Sequence, residues 1–417
     1  MSTQRVETPE NMGVGGTISL RWAFMLITTL FFMWGVSYGL LDVLNKHFQE
    51  TLNVTKAQSG LLQAAYFGAY FIVALPAGYF MSRHGYKAGI LAGLSLYAIG
   101  ALLFVPAAMM NNFPAFLFAL FVLACGLGCL ETAANPYATI LGDVHGAERR
   151  LNLAQSFNGL GQFVGPMIGG TLFFTHASSD AAQNSVKMTY VVIAFVVIAI
   201  ALLFKRTPLP DIREAASEHV QQRGATLWQQ KHFVGGVIAQ FFYVAAQVGV
   251  GAFFINYATE HWQGVTNQSA AYMLSIGMVS FMIGRFFSTW LMGRVKPAVM
   301  LALYALINIV LCAIVMLGAG DVSVIALIAI FFFMSTMFPT IFAMGVKNLG
   351  HATKQASSFM IMAIVGGAIM PYFMGLISDN ISTAVAYGLP LVCFGVVLVY
   401  ALSSVNLHNR RSGGPVG

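Results

Sequence analysis

The sequence predicts an all-α polytopic membrane protein with twelve transmembrane helices in two six-helix halves. Three observations predict it. First, 58% of the 417 residues are hydrophobic and only 8% are charged, with a mean hydropathy of +0.75, whereas a soluble globular chain carries about 25% charged residues. Second, uncharged runs such as FPAFLFALFVLACGLGCL recur along the chain, each long enough to cross a hydrocarbon core of roughly 30 Å as a helix. Third, eighteen of the 21 Lys and Arg fall on one side when helices are laid over those runs; only Lys46, Lys56 and Lys187 fall on the other. Positive charge stays cytoplasmic, so both termini are expected inside.

The helices follow in order. The first, over 22–45, begins at Trp22 and is too long for the apolar region of a signal peptide. The second, 59–80, ends in the tight basic loop GYFMSRHGYKAG, from which the third, 87–107, departs. The fourth, 113–140, and fifth, 152–174, are joined by a charged turn holding Asp143, His145 and Glu148. The sixth, 188–205, runs into the longest polar stretch, KRTPLPDIREAASEHVQQRGATLWQQK. Two prolines and a glycine make this stretch a linker with one short surface helix. The seventh and eighth lie over 232–257 and 270–292; GRFFSTWLMGRVKP after the eighth echoes the basic loop after the second. The ninth, tenth, eleventh and twelfth lie over 297–317, 322–345, 355–377 and 384–404, and GGAIMPYFMGLISD in the eleventh echoes GQFVGPMIGG in the fifth. The expected organisation is a tail over 1–20, a six-helix half over 21–205, a linker over 206–231, a second half over 232–404 and a tail over 405–417. Paired six-helix repeats around a midplane site are the plan of a major facilitator transporter.

The four cysteines lie inside apolar runs and form no CxxC or Cys/His cluster, so no metal site is expected. Cys125 and Cys129, four apart, read as small residues at a helix contact. The net charge of +7 is explained by its one-sided loop distribution, and no nucleic-acid partner is expected.

Few ionisable residues fall within the spans. Asp42 lies in the first helix, Glu131 in the fourth and Arg285 in the eighth. An isolated charge at mid-membrane costs at least about 2.5–3.5 kcal/mol on insertion scales, so such residues normally face a polar cavity. Arg285, nine residues before Arg294, fits a snorkelling side chain equally well. Asp42 also fits a wet helix end, and Glu131 a structural carboxylate satisfied by its neighbours. An apolar surround disfavours the charged form of a carboxyl group, which can then exchange a proton near physiological pH. A carboxylate also accepts from sugar hydroxyls, and donates when protonated. Asn135 lies one turn beyond Glu131, and Pro136 removes a backbone donor. Gln155, Asn158 and Gln162 make a polar stripe on the fifth helix; Trp34, Tyr38 and Asp42 make one on the first; Gln240, Tyr243 and Gln247 make one on the seventh. Amides bond hydroxyls and rings stack on the C–H faces of a small sugar or polyol. The same amides also serve as interhelical bonds.

The run GLGCLETAANPYATIL, followed by ERRLNLAQSFNGLG, resembles the fucose–galactose–glucose proton symporter family of the major facilitator superfamily. LFFMWGVSYGLLDVLNKHFQ and AYFGAYFIVALPAGYFMSRHGYKAGILAGLSLYAIGALLF resemble its first three helices. The resemblance is close in the N-terminal half and general in the C-terminal half. It implies import of a monosaccharide by proton symport, with Asp42 in proton coupling, Glu131 meeting sugar and proton, and Gln155 and Asn158 among the sugar contacts. Two departures stand out. Fucose-transporting members carry an asparagine three residues before the aspartate, where this chain has Gly39; and GQFVGPMIGG resembles a glycine–proline motif of antiporters, which makes proton-coupled export of a drug or metabolite the alternative. No His/Asp pair, metal cluster or acidic DxD loop points to an enzyme. The expected partners are a sugar, a proton and membrane lipid. The expected energy source is the proton gradient, with no cofactor, and the expected state a monomer in a bacterial inner membrane.

Overall fold

In lipid every backbone polar group must be satisfied within its own segment, and helices do this. The computed structural model describes residues 20–141, 147–175, 179–208, 227–292, 294–347, 349 and 353–412, and among these there is no strand. Residues 1–19 and 413–417 of the tails, most of the linker, and Asp143 and His145 lie outside the described residues, as does the side chain of Glu148. The N-terminal elements are α1 (Leu20–Thr51), a single turn α2 (Lys56–Ser59), α3 (Leu61–His84), α4 (Tyr86–Met110), α5 (Phe113–Ile140), α6 (Ala147–Phe173) and α7 (Ser179–Arg206). The C-terminal elements are α8 (Lys231–Ala252), α9 (Phe254–His261), α10 (Asn267–Leu291), α11 (Pro297–Met316), α12 (Asp321–Met334), α13 (Met337–Val346), α14 (Thr353–Met362), a 3-10 turn (Ala363–Val365), α15 (Gly366–Asn380), α16 (Thr383–Ala386) and α17 (Gly388–Ser412).

Eleven described segments are long and apolar enough to cross a membrane. The remaining predicted span, α6, is more polar because it carries Gln155, Asn158 and Gln162. Five predicted spans are interrupted. The second breaks at Gly60, next to its start, the seventh at Phe253, the tenth at Ser335–Thr336, the eleventh at the 3-10 turn and the twelfth at Tyr387. Four of the five interruptions are in the C-terminal half.

Within the N-terminal half α4 packs on α5 and α7, α3 on α5, and α1 on α6; within the C-terminal half α11 packs on α12 and α17, and α8 on α13, α15 and α17. The α1–α6 contact depends on glycine. A Cβ at Gly161 would collide with the Phe32 carbonyl and lie 2.7 Å from the Val36 nitrogen. A Cβ at Gly39 would lie 2.7 Å from Pro166 Cδ and 2.8 Å from the Gln162 carbonyl oxygen. The GQFVGPMIGG run is therefore a packing surface against α1. Replacing Gly161 by Val should destabilise the fold by about 1–3 kcal/mol, as overpacking does, and lower the melting temperature of the detergent-purified protein; an unchanged melting temperature would refute this close approach.

The two halves are tied together at the end of the bundle opposite the chain termini, called the far end below. There the Lys56 and Ala57 amides donate to the two carboxylate oxygens of Asp379 at 3.0 and 2.8 Å, and Lys56 Nζ lies 2.6 Å from Glu260 Oε1. Asn267 Nδ2 donates to Glu50 Oε1 at 2.7 Å. Gln49 and Asn256 exchange two bonds, Gln49 Nε2 to Asn256 Oδ1 at 3.2 Å and Asn256 Nδ2 to Gln49 Oε1 at 2.6 Å.

Candidate functional site

The site is built on α1, α3, α5 and α6, where the helical period brings polar groups to one face. Glu131, on α5, is half-buried and lies close to the phenols of Tyr66 and Tyr70, which stack at 5.2 Å on α3. One turn along, Asn135 Oδ1 accepts from Gln155 Nε2 at 3.1 Å, joining α5 to α6. On α6, Gln162 Nε2 donates to Asn158 Oδ1 at 2.7 Å, and Asn158 Nδ2 donates to the Phe31 carbonyl of α1 at 3.3 Å. Asn158 thus spends both ends of its amide within the protein. Asn135, Gln155 and Gln162 are half-exposed, and each amide holds both a donor and an acceptor for a hydroxyl.

Aromatic rings link the two carboxyl groups. Trp34 lies beside Tyr66. Tyr38 meets Tyr66 and Phe67 edge-on at 6.3 and 6.1 Å, and it neighbours both Asp42 and Tyr243. Asp42 is 2% exposed. Its Oδ1 accepts from Gln63 Nε2 at a long 3.4 Å, and its Oδ2 has no hydrogen-bond partner. The three atoms nearest a Cβ built on Gly251 of α8 are Asp42 Oδ2 at 2.7 Å, Cγ at 3.3 Å and Oδ1 at 3.6 Å. Asp42 therefore sits in the seam between the halves, not at a wet helix end.

The C-terminal stripe resolves differently. Tyr243 is buried and donates its hydroxyl to the Met334 carbonyl at 2.7 Å. Arg285 Nε donates to the next carbonyl, that of Ser335, at 3.4 Å, and its guanidinium lies 5.0 Å from the Phe281 ring centroid. Both residues thus meet carbonyls at the C-terminal end of α12, where the helix dipole favours a cation. Arg285 has a defined partner at a helix break. Gln240 is fully buried with neither amide atom hydrogen-bonded, and Gln247 on the same helix is half-buried. No hydrogen bond joins Gln240 to the cluster around Glu131.

Gln63, Tyr66 and Tyr70 were not singled out by the sequence. Their spacing of three, four and seven is the same as that of Gln155, Asn158 and Gln162, and would have flagged the second helix. Among the described residues no group of three or more His, Cys, Asp or Glu is placed to hold a metal.

The geometry can be set beside known proteins. The Major Facilitator Superfamily profile matches residues 23–371. The chain is 41% identical over 404 residues to the L-fucose-proton symporter of Escherichia coli, covering 91% of this chain and 92% of that one. It is 38% identical over 385 residues to the glucose/galactose transporter of Brucella abortus, covering 91% and 93%. A crystal structure of the E. coli fucose:proton symporter in the outward conformation matches with a TM-score of 0.69 at 40% identity, covering 93% of this chain and 99% of that one. The chain belongs to the Major Facilitator Superfamily, and within it to the group that holds the L-fucose-proton symporter and the glucose/galactose transporters.

Proposed function

We propose that this protein is a secondary transporter that imports a monosaccharide (a hexose, deoxyhexose or amino sugar) with a proton, by alternating access between halves over 21–205 and 232–404 joined by the 206–231 linker. The observation that carries this reading is the pair of intramembrane carboxyl groups on one phenol-lined wall. Glu131 is half-buried one turn from the Asn135–Gln155 pair, where hydroxyls need partners. Asp42 is closed into the seam with one oxygen unpartnered, a seat that accommodates a neutral carboxyl far better than an ionised one. One carboxyl group thus serves the sugar and the other the proton. The relatives are named for L-fucose–proton symport and for glucose/galactose transport, which supports the sugar and proton classes together and disfavours an exporter.

The far end is shut by the Lys56, Gln49 and Asp379 contacts, which supports a state whose site opens toward the termini. The positive-charge asymmetry supports cytoplasmic termini in an inner membrane. The proton gradient is the sole energy source, with no cofactor, and the unit is a monomer. Trp34 and Tyr38 supply ring faces to the sugar, with Gln162 and Asn158 behind them. Gln247 and the Tyr243 ring border it from the other half, and Gln240 approaches only after rearrangement.

Counterflow into proteoliposomes tests the substrate class. Vesicles preloaded with unlabelled L-fucose, D-galactose, D-glucose, D-mannose, D-fructose or N-acetylglucosamine should take up the matching labelled sugar in at least one case. Uptake of none would overturn the sugar reading and favour the exporter.

A further inference from the structure

A continuous chain of side-chain amides runs from Asp42 to the contact that closes the far end. Asn256 Nδ2 donates to Gln49 Oε1 at 2.6 Å, Gln49 Nε2 to Asn45 Oδ1 at 3.1 Å, Asn45 Nδ2 to Gln63 Oε1 at 3.0 Å, and Gln63 Nε2 to Asp42 Oδ1 at 3.4 Å. At Gln49 the network branches: Gln49 Nε2 also donates back to Asn256 Oδ1 at 3.2 Å and to Ser59 Oγ at 2.9 Å. Asn45, Gln63 and Asn256 are fully buried, so water does not substitute for a lost partner at these three, and Gln49 between them is half-buried. The chain starts in the C-terminal half, on α9, crosses the seam at Gln49, and ends on α1. Aligned amide dipoles polarise one another, and buried amides left unpaired are costly. Loss of one link therefore weakens its neighbours.

Gly251 offers bare backbone to Asp42, with Oδ2 2.7 Å from where a Cβ would stand. The phenols of Tyr38 and Tyr387 are ionisable neighbours of Asp42. Movement of the carboxyl group toward a new donor pulls on Gln63 and, through it, on the pair that bridges the halves.

We propose that Gln63, Asn45 and Gln49 are positioning residues that make closure of the far end depend on the state of the Asp42 carboxyl group. The chain gives the transporter a physical link between its proton site and its gate. The inference rests on the transport reading for the meaning of closure, but its test needs neither sugar nor a gradient, so the two fail separately.

The test is a double-mutant cycle on the conformational ratio. Nitroxides are placed at Gln58→Cys and Ile381→Cys, two exposed far-end positions in opposite halves, in full-length protein whose four native cysteines are replaced by alanine. Spin–spin distances in nanodiscs at pH 8 then report the ratio of closed to open far ends. Asp42→Asn, which fixes the side chain neutral, should raise that ratio at least about fivefold, the lower end of ordinary coupling between sites. In Asn45→Leu protein, and independently in Gln49→Met protein, the same Asp42→Asn change should leave the ratio within about twofold. A structural role alone would shift the starting ratio in these variants and keep the Asp42→Asn factor intact. An unchanged factor in either folded variant, or no effect of Asp42→Asn in the parent, overturns the proposal.

Discussion

Glu131→Gln should abolish sugar-driven proton movement and weaken sugar binding by about 10- to 100-fold. Glutamine has nearly the same shape but loses the negative charge. A hydrogen bond to a charged group contributes about 1.5–3 kcal/mol to binding, and 1.36 kcal/mol is one decade. The size of the loss follows from Glu131 being half-buried beside Tyr66 and Tyr70, with water partly excluded. Equilibrium binding of the transported sugar to the purified variant measures the first effect, and proton movement in vesicles the second. An affinity within twofold of the parent would remove Glu131 from the sugar site.

Asp42→Asn should separate binding from coupling. The residue is buried in the seam behind Tyr38, away from the half-exposed amides, so sugar exchange at equilibrium should stay within a few-fold of the parent. Accumulation against a gradient should be lost. For one proton per sugar, a membrane potential of 100 mV is worth about 2.3 kcal/mol, or a steady-state accumulation of about 50-fold at 1.36 kcal/mol per decade. The variant should settle at about equal concentrations inside and out. Labelled sugar in energised vesicles measures the ratio, and accumulation equal to the parent's would show that the coupled proton does not use Asp42.

Most of the architecture could be read from the chain. Long apolar runs must become helices in lipid, and the basic loops mark their ends, so the predicted spans lie within a few residues of the observed helices in most cases. The helix ends were less legible. The first helix continues to Thr51 through the polar run from Asn45 to Glu50 because Asn45 bonds Gln63 of α3, while Gln49 and Glu50 meet Asn256 and Asn267 across the seam. The breaks at Phe253 and Ser335–Thr336 carry no proline or glycine at the break itself; Tyr243 and Arg285 reach the Met334 and Ser335 carbonyls at the second, and Tyr387 reaches the Val250 carbonyl beside the first. In the site, spacing sets Trp34, Tyr38 and Asp42 at steps of four on the first helix and Asn135 one turn beyond Glu131, and the bond from Gln155 to Asn135 appears only in three dimensions. Spacing along one helix cannot reveal which face meets which neighbour. Gly251 therefore gave no signal, although its bare backbone leaves the room that Asp42 occupies, and Gln240 looked equivalent to Gln155 although it is sealed in the other half. Gly39 reads as a missing amide in sequence, and in three dimensions it is the point where α6 comes too close for any side chain.

The most direct test of the central claim is the pH of a weakly buffered suspension of de-energised cells containing the protein, followed as each sugar is added. Proton-coupled import predicts a transient alkalinisation with the transported sugar, absent in Glu131→Gln and in Asp42→Asn. Entry of labelled sugar with no change in external pH would contradict it.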